Sequence, residues 1–213
     1  MIGISVWTLI SVIAATALIA SCSQNEPIAA KPSEEGLLLN DDLVAITEGD
    51  GNITIKNTQT GEVTAEKIKF DWTSASPNDS LGVFCTDNKR GYYNSYTGKI
   101  VVPAQYRRAW VFSEGLAAVQ KNGMIGFINR KGEVAIPFKY PYHGNPLSSF
   151  VFDNGHCIVA DTTGKCGVIN RKGEWIIQPK YDNIDAYEEY VIASSAGVRR
   201  QLTYEEKVIN SFV

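Results

Sequence analysis

The side chains able to do chemistry are few in this 213-residue chain: two histidines, His143 and His156, and four cysteines, Cys22, Cys85, Cys157 and Cys166. A nucleophile needs a base within hydrogen-bond reach. His156 directly precedes Cys157, so on a strand the two point to opposite faces. No His-Glu-x-x-His, Gly-x-Ser-x-Gly, Cys-x-x-Cys or Walker-type loop occurs. The expectation is a chain that is not an enzyme, with no catalytic, cofactor-binding or metal-binding residues. Cys157 and Cys166 flank the turn Asp161-Thr162-Thr163-Gly164 and leave two readings. One is a disulfide across a hairpin. The other is a pair of small buried thiols at core positions. The aromatics point to binding instead. Trp72, Trp110, Trp175 and Tyr142 fall in or just after apolar segments, where aligned rings form a platform for sugar rings or an extended peptide. The pairs Arg107–Arg108, Arg130–Lys131 and Arg171–Lys172 read either as a stripe for an anionic polymer or as solvated turn residues.

The elements that must position these residues begin after an uncharged run, since the first charge in the chain is Glu26. Residues 1–21 read as a signal peptide, a hydrophobic helix ending in small residues. Ile19-Ala20-Ser21-Cys22 resembles the lipobox of bacterial lipoproteins, and the resemblance implies cleavage before Cys22 and a lipid on its sulfur. Usual signals carry a Lys or Arg ahead of the apolar run. Its absence points to a start further upstream or to an uncleaved single-pass anchor, for which Ile2 to Ala20 is close to the ~20 residues a membrane span needs. Residues 22–41 then form the lipidated cysteine and a flexible tether. A net charge of −3 argues against a nucleic-acid partner.

The remainder repeats. Gly123 to Tyr140, GMIGFINRKGEVAIPFKY, and Gly164 to Tyr181, GKCGVINRKGEWIIQPKY, share eleven of eighteen positions, including all of Asn-Arg-Lys-Gly-Glu. Tyr106, Tyr140 and Tyr181 close successive copies, with Phe70 closing a degenerate earlier one. The third segment of each copy alternates with period 2: Ile100 and Val102, Val134 and Ile136, and Trp175 and Ile177 share parity with Tyr106, Tyr140 and Tyr181, which places a branched or aromatic row on one half-buried face. Asn-Arg-Lys-Gly suits a short hairpin loop in which Gly takes the left-handed position. Pro103 and Pro137 then belong at an edge or a bulge, having no N–H to give. Each copy reads as a three-stranded antiparallel meander, which cannot bury its own apolar face, so copies must stack.

The expected fold is therefore all-β: tandem meanders stacked into a curved, β-solenoid-like array, with an open propeller-like array of sheets as the alternative. The repeat domain spans 42–188, in copies at about 42–79, 80–112, 113–150 and 151–188. Residues 189–213 hold a partial terminal repeat and a short capping helix, the latter from the Thr203–Glu206 spacing of a capping box.

GLAAVQKNGMIGFINRKGEVAIPFKY (115–140) and GHCIVADTTGKCGVINRKGEWIIQPKY (155–181) resemble the WG repeat, and TGKIVVPAQY (97–106) matches its final third. The resemblance implies tandem β-hairpin modules, frequent in exported bacterial proteins and lipoproteins, and carries no functional residues. The leading expectation is a non-enzymatic binding module of the bacterial cell envelope. It would be held to the outer membrane or cell surface through Cys22 and meet an envelope protein or glycan on Trp72, Trp110, Tyr142 and Trp175. Two other readings have distinct marks. A polysaccharide-processing enzyme needs paired carboxylates beside aromatics in a cleft, with Asp71, Asp153, Asp182 and Glu188 the candidates. A structural component of an envelope assembly needs an exposed apolar sheet edge or patch.

Overall fold

The computed structural model describes residues 36–70, 80–142 and 150–212. The signal peptide, Cys22 and most of the tether lie outside the described residues, as do Asp71, Trp72 and His143. Among the described residues there is no helix.

Eighteen strands follow one another as five meanders. The first holds β1 (Leu37–Asn40), β2 (Leu43–Thr47), β3 (Ile53–Asn57) and β4 (Val63–Phe70), and the second β5 (Leu81–Thr86), β6 (Lys89–Asn94) and β7 (Ile100–Tyr106). The third holds β8 (Arg108–Ala109), β9 (Leu116–Lys121), β10 (Met124–Asn129) and β11 (Val134–Pro141). The fourth is β12 (His156–Ala160), β13 (Cys166–Asn170) and β14 (Trp175–Tyr181); the fifth is β15 (Asn183–Ala186), β16 (Val191–Ser195), β17 (Val198–Leu202) and β18 (Val208–Phe212). β1 to β7 form one seven-stranded sheet in chain order, because β4 pairs with β5. The other three meanders are separate open sheets.

Stacking is visible in the core. One apolar cluster joins Leu116, Phe127 and Ile136 of the third meander to Cys157, Val159 and Ile169 of the fourth. Others join the second to the third, the fourth to the fifth and the first to the second. No meander has a private core, which is the requirement that made repetition necessary.

The copied Asn-Arg-Lys-Gly-Glu block builds a turn. Asn129 Oδ1 accepts from the Lys131 and Glu133 N–H groups at 2.9 and 3.1 Å, while its Nδ2 donates to Glu133 at 2.7 Å. Asn170 does the same with Lys172 and Glu174. The side chain thus takes over backbone hydrogen bonding within the loop, as asparagine does in Asx-type turns. Gly132 and Gly173 follow at φ 84° and 78°, the left-handed region where a side chain is penalised.

A second glycine position has a different cause. On β7, β11 and β14 the register shifts around Pro103, Pro137 and Pro179: Tyr140 faces Ile125 and Ile136 faces Phe127. This is the bulge that the prolines require. The bulged backbone passes over Gly91, Gly126 and Gly167, where an added Cβ would lie 2.4, 2.9 and 2.6 Å from the carbonyl oxygens of Val102, Ile136 and Ile177. No side chain fits there.

Two expectations are corrected. The C-terminal segment is strand β18 rather than a capping helix, and the fifth meander is complete rather than partial. The Thr203 N–H donates to the Lys207 carbonyl and the Glu206 N–H to the Thr203 carbonyl, the pattern of Asn170–Glu174. Glu206, at φ 61°, stands where the earlier copies have Gly. A helical capping box and this turn share the same spacing, so the sequence pattern did not separate them.

Candidate functional site

Trp110 lies just past β8, fixed on both sides of its backbone. Its N–H donates to the Ala118 carbonyl at 3.0 Å, and its own carbonyl accepts from the buried Tyr92 hydroxyl at 2.8 Å. Its ring meets Phe150 edge-on at 5.1 Å and Tyr142 at 6.1 Å. The Arg108 guanidinium sits 4.6 Å from the centre of the Tyr142 ring, within cation–π range. Trp175 packs edge-on against Tyr140 at 5.7 Å. Trp110, Tyr142 and Trp175 are all half-buried on the cluster shared by the third and fourth meanders. They are wedged on the core with part of each ring outside. Phe150 and Arg108 complete the group, and no spacing rule pointed to either.

Cys157 and Cys166 are not joined. Cys157 faces Ile169 and Cys166 faces Ala160 in the hairpin register, so their side chains enter different clusters, one shared with the third meander and the other with the fifth. Strand alternation separates them, and the disulfide reading gives way to the buried-thiol one. Burial, with Asp161 and Asp182 nearby, pushes the Cys166 thiol above its ordinary pKa, the opposite of a reactive thiolate.

The basic pairs are partly structural. Arg130 donates to the Ser80 hydroxyl at 2.5 Å and lies over the Phe112 ring. Lysines cluster elsewhere: two adjoining hollows of about 390 Å³ each share Asp87 and Asn88, one flanked by Lys67 and Lys69, the other by Lys89, Arg107 and Lys121.

A smaller pocket of about 210 Å³ lies where the fourth meander meets the fifth, lined among others by Val151, Asp153, Asn154, His156, Tyr187 and Tyr204. His156 and Tyr204 stack face to face at 3.8 Å and 8°. The Tyr204 hydroxyl donates to the Tyr187 carbonyl at 2.7 Å, and Tyr187 stacks on Tyr190 at 4.7 Å. His156 Nδ1 is buried and makes no hydrogen bond. Burial pulls its pKa below the ordinary value, against the opposing influence of Glu114, the Asn154 carbonyl and Asp153. Asp153 is the one carboxylate in the pocket wall among the described residues. Asp182 is paired with Lys165 and accepts the Ala196 N–H, and Glu188 is exposed.

These features define a β-meander repeat protein whose aromatic residues cluster where successive meanders meet. The family model described as "WG containing repeat" matches residues 91–124, 125–159 and 167–189, so the chain carries three adjacent WG repeats. The matched units begin on β6, β10 and β13, and they end at the start of β10, within β12 and between β15 and β16. No curated protein matches the chain. Among solved structures it is similar to Hsv2 of Kluyveromyces lactis, at 10% identity over 82% of this chain and 61% of that one, with a TM-score of 0.47. It is also similar to the computationally designed Ika8 protein, at 13% identity, 83% and 63% coverage and a TM-score of 0.42. BamB from Moraxella catarrhalis follows at 15%, 80% and 61%, and 0.37. The chain spans about three fifths of the length of these proteins.

Proposed function

We propose that the chain is a non-enzymatic binding module of the bacterial cell envelope, tethered to the membrane through a lipid on Cys22. In this reading the stacked meanders form a solenoid-like scaffold that presents aromatic rings to an envelope protein or glycan. The observation that carries it is the Trp110–Tyr142–Phe150 group, with Arg108 on Tyr142. Rigid, half-exposed rings give contact area at low entropic cost. Saturable binding of the full chain to purified envelope glycan or to an envelope protein, lost in Trp110→Ala and Tyr142→Ala, supports this reading. Equal binding by wild type and both variants removes it. Anchoring is tested separately: Cys22→Ala releases the protein from the membrane if the lipid holds it. The polysaccharide-processing alternative needs a second carboxylate beside Asp153, and no other lines that pocket among the described residues.

One observation favours a structural role beside binding. β18 exposes Val208, Ile209 and Phe212, and β1 exposes Leu37 and Leu38. Apolar edge strands of this kind are pairing surfaces. Association that disappears in Ile209→Lys, measured by sedimentation, supports an assembly component.

A further inference from the structure

We infer that the pocket between the fourth and fifth meanders binds a single pyranose residue, such as the terminal or branch sugar of a glycan. This site is separate from the Trp110 group and does not depend on it. Its walls are of two kinds. Val151, Ile158 and the rings of Tyr187 and Tyr204 supply apolar surface, while Asp153, Asn154 and His156 supply polar atoms. A pyranose has the same division, with C–H groups on its faces and hydroxyls around its edge.

Three physical points narrow the ligand. The first is size. The pocket holds about 210 Å³, and a cavity of roughly 150 Å³ takes one six-membered carbon ring. One substituted ring fits; an extended chain would have to continue outside.

The second is the unmatched nitrogen. His156 Nδ1 is buried without a hydrogen-bond partner, a state that is unfavourable for a polar atom removed from water. The neutral ring favoured by burial offers an acceptor or a donor according to tautomer, and a sugar hydroxyl, being both, satisfies either. The third is charge. Among the described residues the pocket wall carries one carboxylate and no Lys or Arg, which disfavours phosphates and other anions. Glu114, the nearby second carboxylate, accepts the Gly155 N–H through both oxygens at 3.0 Å, so it is already engaged within the loop. Asp153 remains as an acceptor for hydroxyl hydrogens.

The walls are also held in place before any ligand arrives. Tyr204 stacks on His156 and is hydrogen-bonded to Tyr187, whose ring rests on Tyr190. Preorganisation of this kind reduces the entropy lost on binding.

The test is saturation-transfer NMR on the full chain with the methyl glycosides of glucose, galactose, mannose and N-acetylglucosamine. At least one should show transfer to its ring C–H protons. Affinity should fall about tenfold in Tyr187→Ala, the upper range for one aromatic contact. It should also fall in His156→Phe, which keeps a ring on Tyr204 and removes the nitrogen. Asp153→Asn, at an exposed position, covers the case in which either variant fails to fold, and should weaken binding severalfold. Lys172→Ala, on an exposed hairpin tip, should bind as wild type does. Absence of transfer from all four glycosides overturns the proposal. So does transfer that is unchanged in every folded variant of the three pocket residues, or binding of tetramethylammonium but of no glycoside.

Discussion

At the scale of single residues, the copied charged block is explained by backbone needs. Asn129 and Asn170 hold their loops through two N–H groups and a glutamate each, and the glycines supply the left-handed turn. Arg130 reaches back to Ser80 and Phe112. Gly173 and Gly164 separate conformational strain from crowding, since both have positive φ. A Cβ at Gly173 would meet Ile136 at 2.7 Å, whereas one at Gly164 meets nothing within 4 Å. Gly164→Ala should therefore cost about 1–2 kcal/mol, the backbone penalty alone. Gly173→Ala should cost roughly 1–3 kcal/mol more through overpacking, as read by urea denaturation. His156 gives a pH signature. Its folded pKa is depressed, so the unfolded chain binds the proton first as pH falls. The stability it contributes is complete above about 6.5, the ordinary histidine value, and is lost as pH drops from there through the lower folded pKa. Thermal midpoints should fall below pH 6.5 in wild type and fall less in His156→Phe.

At the scale of elements, strand alternation decides what residue types alone leave open. Cys157 and Cys166 are nine positions apart across a turn, a spacing that invites a bridge, yet they fall on opposite faces. Unfolding in denaturant after exposure to air should leave both reactive towards maleimide, and mass spectrometry should find no crosslinked peptide. The meanders, the turn glycines and the proline bulges were legible because each rests on a local rule: period 2, a turn glycine, a missing N–H. The branched-aromatic rows were legible only in part, since the register shift breaks the period and leaves Ile100 and Val134 exposed. What lies between units was not legible. Lys139 and Tyr140 both donate to the Gly173 carbonyl at 3.1 Å, and Lys180 and Tyr181 reach Glu206, the equivalent position one copy later. These Lys-Tyr clasps join residues 25 to 34 positions apart, beyond the reach of any windowed pattern. The pocket was hidden for the same reason: Tyr204 falls in the segment whose Thr203–Glu206 spacing reads as a helix, and strand alternation at His156 says nothing of the ring that faces it.

At the scale of the whole molecule, tyrosine burial links the meanders to a common chemistry. Burial raises the pKa of Tyr92, Tyr93, Tyr106, Tyr181 and Tyr204, and pushes Tyr140 up to about 12. The folded state keeps these protons longer than the unfolded one, so the stability they contribute is present below the unfolded value of about 10 and is lost as pH rises beyond it. The part of the tyrosine absorbance at 295 nm that belongs to these six residues should therefore rise together with the loss of the far-ultraviolet circular dichroism signal, above pH 10. Meander boundaries carry a further implication. Gly132 rests on Val102 and Gly173 on Ile136, the same turn position seated on the same bulged strand one copy earlier. The joint is thus a standard coupling, identical at both ends of the third meander. A chain built from such couplings can gain or lose a whole unit by unequal crossing-over and still close every joint, so its length is free to vary between descendants while its cross-section is not.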